Sequence, residues 1–332
     1  MTLSLAQLNA LQLPVMAAPM TMASGPELIT ACCAAGVIGG FQAANARDAE
    51  TFKRWFGIIQ DAQARARDTG SRFAPYVVNL LVAAGRNPVL SEFQLALCEE
   101  GRVPLLLTTG GDPSSVVERA HQWGGRVIHD VTTIRHVEKA VAAGVDGLML
   151  VCAGSGGLSG ALNPFAFVAQ ARRAFDGLIV LAGGIADGRG VAAALMMGAD
   201  VVCMGTRFIA TLESGVPDAY RDMLVAAGTD DVLSTDAIVG VRANFMRQSI
   251  VANGLNPDAL PPPTGRRPNL PPNVRPWRTL WSAGHSVGMI DDAPAVKDVV
   301  DRLAREFREY VSSDSWRDRI GFALEKAHQP RS

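Results

Sequence analysis

The sequence predicts an α/β fold, a TIM-type (β/α)8 barrel with a helical and proline-rich C-terminal extension. Three observations carry that prediction. Short apolar runs recur near residues 14, 37, 73, 103, 126, 147, 178 and 201. Continuous apolar runs of this length suit strands buried on both faces, as in a parallel sheet. Each interval holds one helical pattern, and several runs end in glycine and small residues, where barrel enzymes gather their ligand sites.

The first run, Pro14 to Met20, ends at Pro19, which cannot donate to a ladder. Ser24 is a candidate N-cap for a helix to Ala35, with Pro26 in its first turn and Gly36 as its stop. Val37 to Phe41 is the second strand, with Gln42 at its tip. Asp48 to Asp68 is amphipathic, with Phe52, Trp55, Phe56 and Ile59 on one face. Phe73 to Leu81 carries Asn79 near its end, and Pro88 to Glu100 is helical. Val103 to Thr108 runs into Thr109-Gly110-Gly111, and Asp112-Pro113 opens a helix to Trp123. Arg126 to Val131 holds His129 and Asp130, followed by a helix to Ala143. Gly147 to Cys152 leads into a glycine-rich tip, Ala153 to Gly160, and Asn163-Pro164 starts the next helix.

The last two units are the most informative. Leu178–Leu181 ends in Ala182-Gly183-Gly184, and Asp187 opens a helix to Met197. Val201–Met204 then ends in Gly205-Thr206-Arg207. Glycine lets backbone approach a ligand and adopt positive φ, and its N–H groups can wrap an anion. Two such tips side by side predict a phosphate site between strands seven and eight. No G-x-G-x-x-G follows the first strand, so a dinucleotide fold is disfavoured. The barrel is expected over residues 1–228 and the extension over 229–332. Pro217 to Ala227, at the end of the barrel, and Ala293 to Val311, in the extension, read as helices, the latter's charges forming a solvated face. Residues 234–250 are short and mixed, and 256–277 form a proline-rich segment expected to lie across the barrel surface.

Composition narrows the function classes. The chain is 48% hydrophobic with a net charge of −1, which gives no electrostatic case for nucleic acid or an anionic membrane. No run is long and apolar enough to span a bilayer, and the first residues lack signal-peptide character, so a cytoplasmic protein is expected. Cys32, Cys33, Cys98, Cys152 and Cys203 sit in mostly apolar runs without metal spacing and read as small buried hydrophobes. His121, His129, His136, His285 and His328 form no metal pattern, so no metal is expected. His121 and His136 read as surface residues, and His129 as orienting backbone or Asp130.

Taken together, Ala18-Pro19-Met20, Asn79-Leu80, His129 to Thr133, Cys152 to Gly160, Ala182-Gly183-Gly184, Met204 to Phe208 and Trp281 to Gly284 resemble the motifs of the nitronate monooxygenase family, also called 2-nitropropane dioxygenases. The resemblance covers most of the chain in order. It implies an FMN-dependent oxidoreductase acting on a small molecule, with O2 or NAD(P)H as co-reactant. It places Ala18, Pro19 and Met20 against the flavin, and Asn79 on its polar edge. Ala182, Gly183, Gly184, Gly205 and Thr206 belong to the phosphate end, and Gly154, Gly156 and Gly157 to the ribityl chain or substrate. Asp130 stands where one branch of the family has lysine.

One departure bears on mechanism. The family's strand-six tip commonly carries a proton-abstracting histidine where this chain has Leu158. General base catalysis is worth about 10²–10⁴-fold, so the replacement matters. His285, where relatives often have glutamine, is the candidate substitute, although an ordinary structural role is the more frequent fate of a lone histidine. Three functions fit: nitronate oxidation with O2, NAD(P)H-dependent reduction of quinones or enoyl-type C=C bonds, and non-catalytic FMN binding.

Overall fold

The computed structural model describes residues 11–82, 88–262, 269–314, 316–318 and 320–321. Eight parallel strands close into the predicted barrel: β1 (Val15–Ala17), β2 (Ile38–Gln42), β3 (Tyr76–Leu81), β4 (Leu105–Thr109), β5 (Arg126–Val131), β6 (Gly147–Val151), β8 (Leu178–Ala182) and β9 (Val201–Met204). Closure comes from β1 against β9, with Val15 opposite Val202 and Ala17 opposite Met204. β1 is shorter than its apolar run because Pro19 ends the ladder.

Strand alternation divides the core in two. Met16, Ile38, Val77, Leu105, Leu107, Ile128, Val180 and Val201 point inward and fill the barrel. The alternate positions, Val15, Val78, Leu106, Val127, Leu148, Ile179 and Val202, face the helical layer with Leu28, Phe52, Phe56 and Val137. Phe52 stacks on both Phe41 and Phe56, which docks the long helix Ala49–Asp68 on β2. The helices expected to start at Asp48, Asn163 and Asp187 do so, each capped by that residue's side chain. Ser24 does not cap: the N-cap of Pro26–Ala35 is Gly25, without a side-chain bond. The Ser24 hydroxyl is turned inward, donating to Ala18 O at 3.1 Å and accepting from Met20 N at 2.9 Å.

The C-terminal helix Val296–Ser312 lies against helices Pro26–Ala35 and Gly188–Met196. Its Val296, Val299, Val300, Leu303 and Ala304 join the main core, while its charged face stays outside. The approach is close at Gly188, where an added Cβ would sit 2.3 Å from Phe307 N and 2.5 Å from Leu303 O.

A second sheet stands over the barrel mouth. β7 (Gly157–Leu158) pairs antiparallel with β11 (Ala243–Met246), which pairs with β10 (Val232–Thr235). The short, mixed 234–250 stretch therefore supplies most of this sheet and a helix, Arg247–Ala252. Val274 and Leu280 anchor the end of the proline-rich region in a small core with Ile238 and Phe245. Its residues 263–268 lie outside the described region, as do His328 and the first ten residues. Among the described residues no helix is long and apolar enough to cross a membrane, and no His/Cys/Asp/Glu group could hold a metal.

Candidate active site

A cavity of about 1480 Å³ opens at the C-terminal ends of the barrel strands and continues outward past His136 and Lys139. All residues that the resemblance assigns to the cofactor line it. Ala18, Pro19 and Met20 come from the end of β1, Asn79 from β3 and Asp130 from β5. Gly154, Gly156 and Gly157 come from the tip after β6, and Ala182, Gly183, Gly184, Gly205 and Thr206 from the ends of β8 and β9.

Each tip is held in shape by its own chemistry. The β1 tip is clamped by Ser24 and by Asn45, whose amide donates to Met20 O at 2.9 Å and accepts from Met22 N at 3.0 Å. Gly40 makes room beneath it, since a Cβ there would lie 2.3 Å from Ala17 O and 2.6 Å from Pro19 N. Asn79 is buried, its amide donating to Leu107 O at 3.0 Å and Thr109 Oγ1 at 2.8 Å. At the far side, Gly183 and Gly184 have φ of 131° and 74°, which L side chains rarely adopt. Thr206 is buried, and its Oγ1 accepts from Gly284 N at 2.9 Å.

The arrangement fits a flavin phosphate. A Cβ on Gly184 would meet nothing within 4 Å, so the backbone there fronts open space. Ser282 lines the cavity beside these tips and is buried, yet its Oγ lacks a hydrogen-bond partner. Gln42, at the β2 tip, also lines the cavity and has a buried Oε1 without a partner. Buried polar atoms left without partners are costly, so these two are the places where a ligand's polar groups would be met. Gln42 is legible only as a polar residue ending an apolar strand, whereas Ser282 falls within the Trp281-to-Gly284 stretch that carries part of the family resemblance.

Two titratable groups on β5 are shifted in opposite senses. Burial pushes the Asp130 carboxyl up to about 6, opposed by hydrogen bonds from Thr109 and Gly110. Burial, aided by His136, pulls His129 down to about 4, against a smaller pull from Asp112. His129 is therefore neutral near pH 7. Its Nδ1 lies 2.9 Å from Thr108 Oγ1; of the two expected partners, backbone or Asp130, no bond to Asp130 is formed. His121 is exposed as expected and pairs with Asp146 at 2.8 Å. His136 is exposed too, but it lines the outer part of the cavity.

The two residues bearing on proton transfer are placed apart. Leu158 lines the cavity, 43% exposed, on β7 opposite Ala243. His285 is exposed and does not line the cavity. Its backbone N donates to Gly154 O at 2.9 Å, and its ring lies against Gly154, where a Cβ would come within 3.0 Å of Nδ1. The short helix His285–Met289 starts here, and the flanking Gly284 and Ser286 line the cavity while His285 does not.

A closed parallel barrel with glycine tips at its last two strands and a polar-edged cavity at their C-termini defines a cofactor-dependent enzyme of the TIM-barrel class. A family profile for nitronate monooxygenase matches residues 3–306, and the chain belongs to that family of flavin-dependent oxidoreductases. Two relatives match nearly end to end. One is the (3aS,4S,5R,7aS)-5-hydroxy-7a-methyl-1-oxo-octahydro-1H-indene-4-carboxyl-CoA dehydrogenase of Rhodococcus jostii, 25% identical over 91% of this chain and 95% of that protein. The other is the nitronate monooxygenase of Paraburkholderia phytofirmans, 27% identical over 90% and 93%. Among solved structures, a nitroalkane oxidase from Streptomyces ansochromogenes superposes with a TM-score of 0.76 at 22% identity, covering 92% of this chain and 99% of that one. FabK from Thermotoga maritima superposes at 0.72 and 25% identity, covering 92% and 96%.

Proposed function

We propose that the protein is an FMN-dependent oxidoreductase that reduces an activated carbon–carbon double bond of a bulky, thioester-like substrate by hydride transfer, with NAD(P)H as the reductant. The observation that carries this reading is Leu158 in the cavity wall with His285 outside it. The imidazole packed against the strand-six tip, His285, is not among the residues lining the cavity, and Leu158 cannot take a proton from a substrate carbon, so the favoured chemistry is one that does not ask for it there. FMN, when bound, supplies the hydride chemistry.

The chain's own residues orient and enclose. Ala18, Pro19 and Met20 give an apolar wall for the ring, and Gln42 and Asn79 give its polar edge. Gly183, Gly184, Gly205 and Thr206, with Ser282, hold the phosphate. Leu158, Val241 and Trp277 line the opening, the first two exposed and the last half-buried, and apolar side chains gathered at a cavity mouth fit an apolar substrate body. The cavity exceeds the usual 300–1,000 Å³ of a single-ligand pocket, leaving room for a cofactor and a second large reactant. The carboxyl-CoA dehydrogenase among the relatives acts on a molecule of that kind.

Nitronate oxidation with O2 is the second reading. A nitronate arrives already deprotonated and so tolerates Leu158, and one near-full-length relative carries that name. Anaerobic stopped-flow reduction of the flavin separates the two. The first reading expects rapid bleaching by NADH or NADPH and reoxidation by an enoyl thioester or quinone. Bleaching by preformed nitronate alone would overturn it in favour of the second, with preformed nitronate used far better than neutral nitroalkane. A protein that purifies colourless and cannot be reconstituted with FMN would defeat both.

A further inference from the structure

We propose that Arg242 and Arg278 anchor a phosphorylated adenosine diphosphate, the handle common to coenzyme A thioesters and NADPH, at the rim of the active-site cavity. The inference rests on the oxidoreductase reading and adds the chemistry by which the second reactant is held. Both arginines line the cavity. They reach it from two separate segments and flank the same element, the β7 tip. Arg242 precedes β11, and its carbonyl accepts from Ser159 N at 3.2 Å, one residue beyond Leu158. Arg278 follows Trp277, whose indole stands beside Gly157, 3.4 Å from where a Cβ there would lie.

Their charges are uncommitted. Among the described residues neither takes part in an ion pair, and Arg242 makes only a 3.3 Å bond from Nη1 to Ser234 Oγ. Other arginines are spoken for: Arg207 and Arg302 share Asp292, Arg172 holds Asp200, and Arg221 holds Asp218. Lys139, on the other flank of the cavity, faces the carboxylate field of Asp112. The rim at β7 therefore presents two guanidinium groups over an apolar collar of Leu158, Val241 and Trp277. Guanidinium binds phosphate through paired, charge-assisted hydrogen bonds. An apolar body within the collar and a phosphate-bearing head outside it match that arrangement. A small nitronate has no part that would reach both.

Trp277 ties the device together. Its φ of 60° is unusual for a bulky residue, and such strain persists only where the surroundings hold it. Here its backbone N donates to Leu280 O at 2.9 Å and its ring stacks on Phe245 at 5.9 Å, which fixes Arg278 next to the opening.

The test is equilibrium binding to the FMN-loaded protein, read by calorimetry without turnover. The probes are coenzyme A, 3′-dephospho-coenzyme A, pantetheine, NADP+ and NAD+. Coenzyme A or NADP+ should bind with an affinity that falls as salt rises. Arg242→Gln with Arg278→Gln should weaken it at least tenfold, leaving pantetheine binding, flavin content and melting temperature unchanged. Loss of binding for coenzyme A alone identifies the thioester as the occupant, and loss for NADP+ alone identifies the nicotinamide nucleotide. Failure of every phosphorylated probe to bind, or equal affinity in the double variant, overturns the proposal. The oxidoreductase reading would survive that result, since it is judged by flavin reduction.

Discussion

His129 and Asp130 are neighbours on one strand whose protons pull stability in opposite directions, and this makes a pH experiment decisive. The Asp130 carboxyl rises from 3.8 to about 6 on folding because burial disfavours its charge. The native state then holds this proton more tightly than the unfolded chain. Stability from Asp130 is full below about pH 3.8 and is lost as pH rises through 6. His129 moves from 6.5 to about 4, so its contribution runs the other way: it is full above pH 6.5 and lost as pH falls toward 4. Each shift is worth at most about 3 kcal/mol at 1.36 kcal/mol per unit. Between pH 4 and 6 the two cancel in the wild type. Asp130→Asn removes one side of the balance. Its stability relative to wild type should be near zero at pH 4 and grow toward an upper limit of about 3 kcal/mol at pH 7. His129→Gln should show the mirror effect, gaining on wild type as pH falls from 7 to 4, after a constant loss of about 1 kcal/mol for the Thr108 bond. Urea unfolding at half-unit pH steps, at matched flavin content, measures both. A wild-type-to-Asp130→Asn difference that stays constant from pH 4 to 7 would refute the assignment of this buried charge.

Other expectations follow from single contacts. Gly184→Asp should abolish flavin retention, measured by absorbance after gel filtration, because it puts a carboxylate into the phosphate cradle, where its Cβ meets no protein atom within 4 Å but the positive φ adds backbone strain; retained flavin at wild-type affinity would misplace the phosphate. Gly188→Ala should destabilise the fold by about 1–3 kcal/mol in urea, since its Cβ would collide with Phe307 N and Leu303 O of the C-terminal helix and push that helix away. The thiols of Cys33, Cys152 and Cys203 are pushed up to about 12 by burial, and those of Cys32 and Cys98 are raised as well. A thiol reagent at pH 8 should therefore react slowly with the native protein and rapidly with all five cysteines in denaturant. Fast reaction of any one in the native state would contradict its burial.

The barrel was legible because its signal is local and repeated. A strand buried on both faces must be apolar throughout, and each of the eight announces itself within a few residues. The helix starts at Asp48, Asn163 and Asp187 were readable for the same reason: a cap needs only the next turn. Ser24 shows the limit of that logic. It has the right residue type one position before Gly25 and Pro26, but its hydroxyl finds Ala18 O and Met20 N, partners that only the folded β1 tip provides. The upper sheet was not legible at all. β7 is two residues long, and its partner strand is separated from it by more than a barrel unit, so no periodicity marks either.

That same sheet explains why the glycine tips could be read as a site while the proton-transfer question could not. Backbone tips declare themselves by composition, since only glycine tolerates the conformations at Gly183 and Gly184. Which side chain reaches the cavity depends instead on how distant segments dock on the tip. Gly284 N is held by Thr206 Oγ1, and Gly156 has space only because it carries no Cβ: one there would lie 2.8 Å from Gly284 N. With the loop seated so close, the next residue, His285, packs its ring against Gly154 and is not among the residues lining the cavity. Meanwhile β11 pairs with Leu158 and brings Arg242 to the rim. The extension, on this view, does two things to the mouth at once: it keeps an imidazole out and brings guanidinium groups in. That exchange, a base for a pair of anion anchors, is what the choice between nitronate and phosphate-bearing thioester turns on.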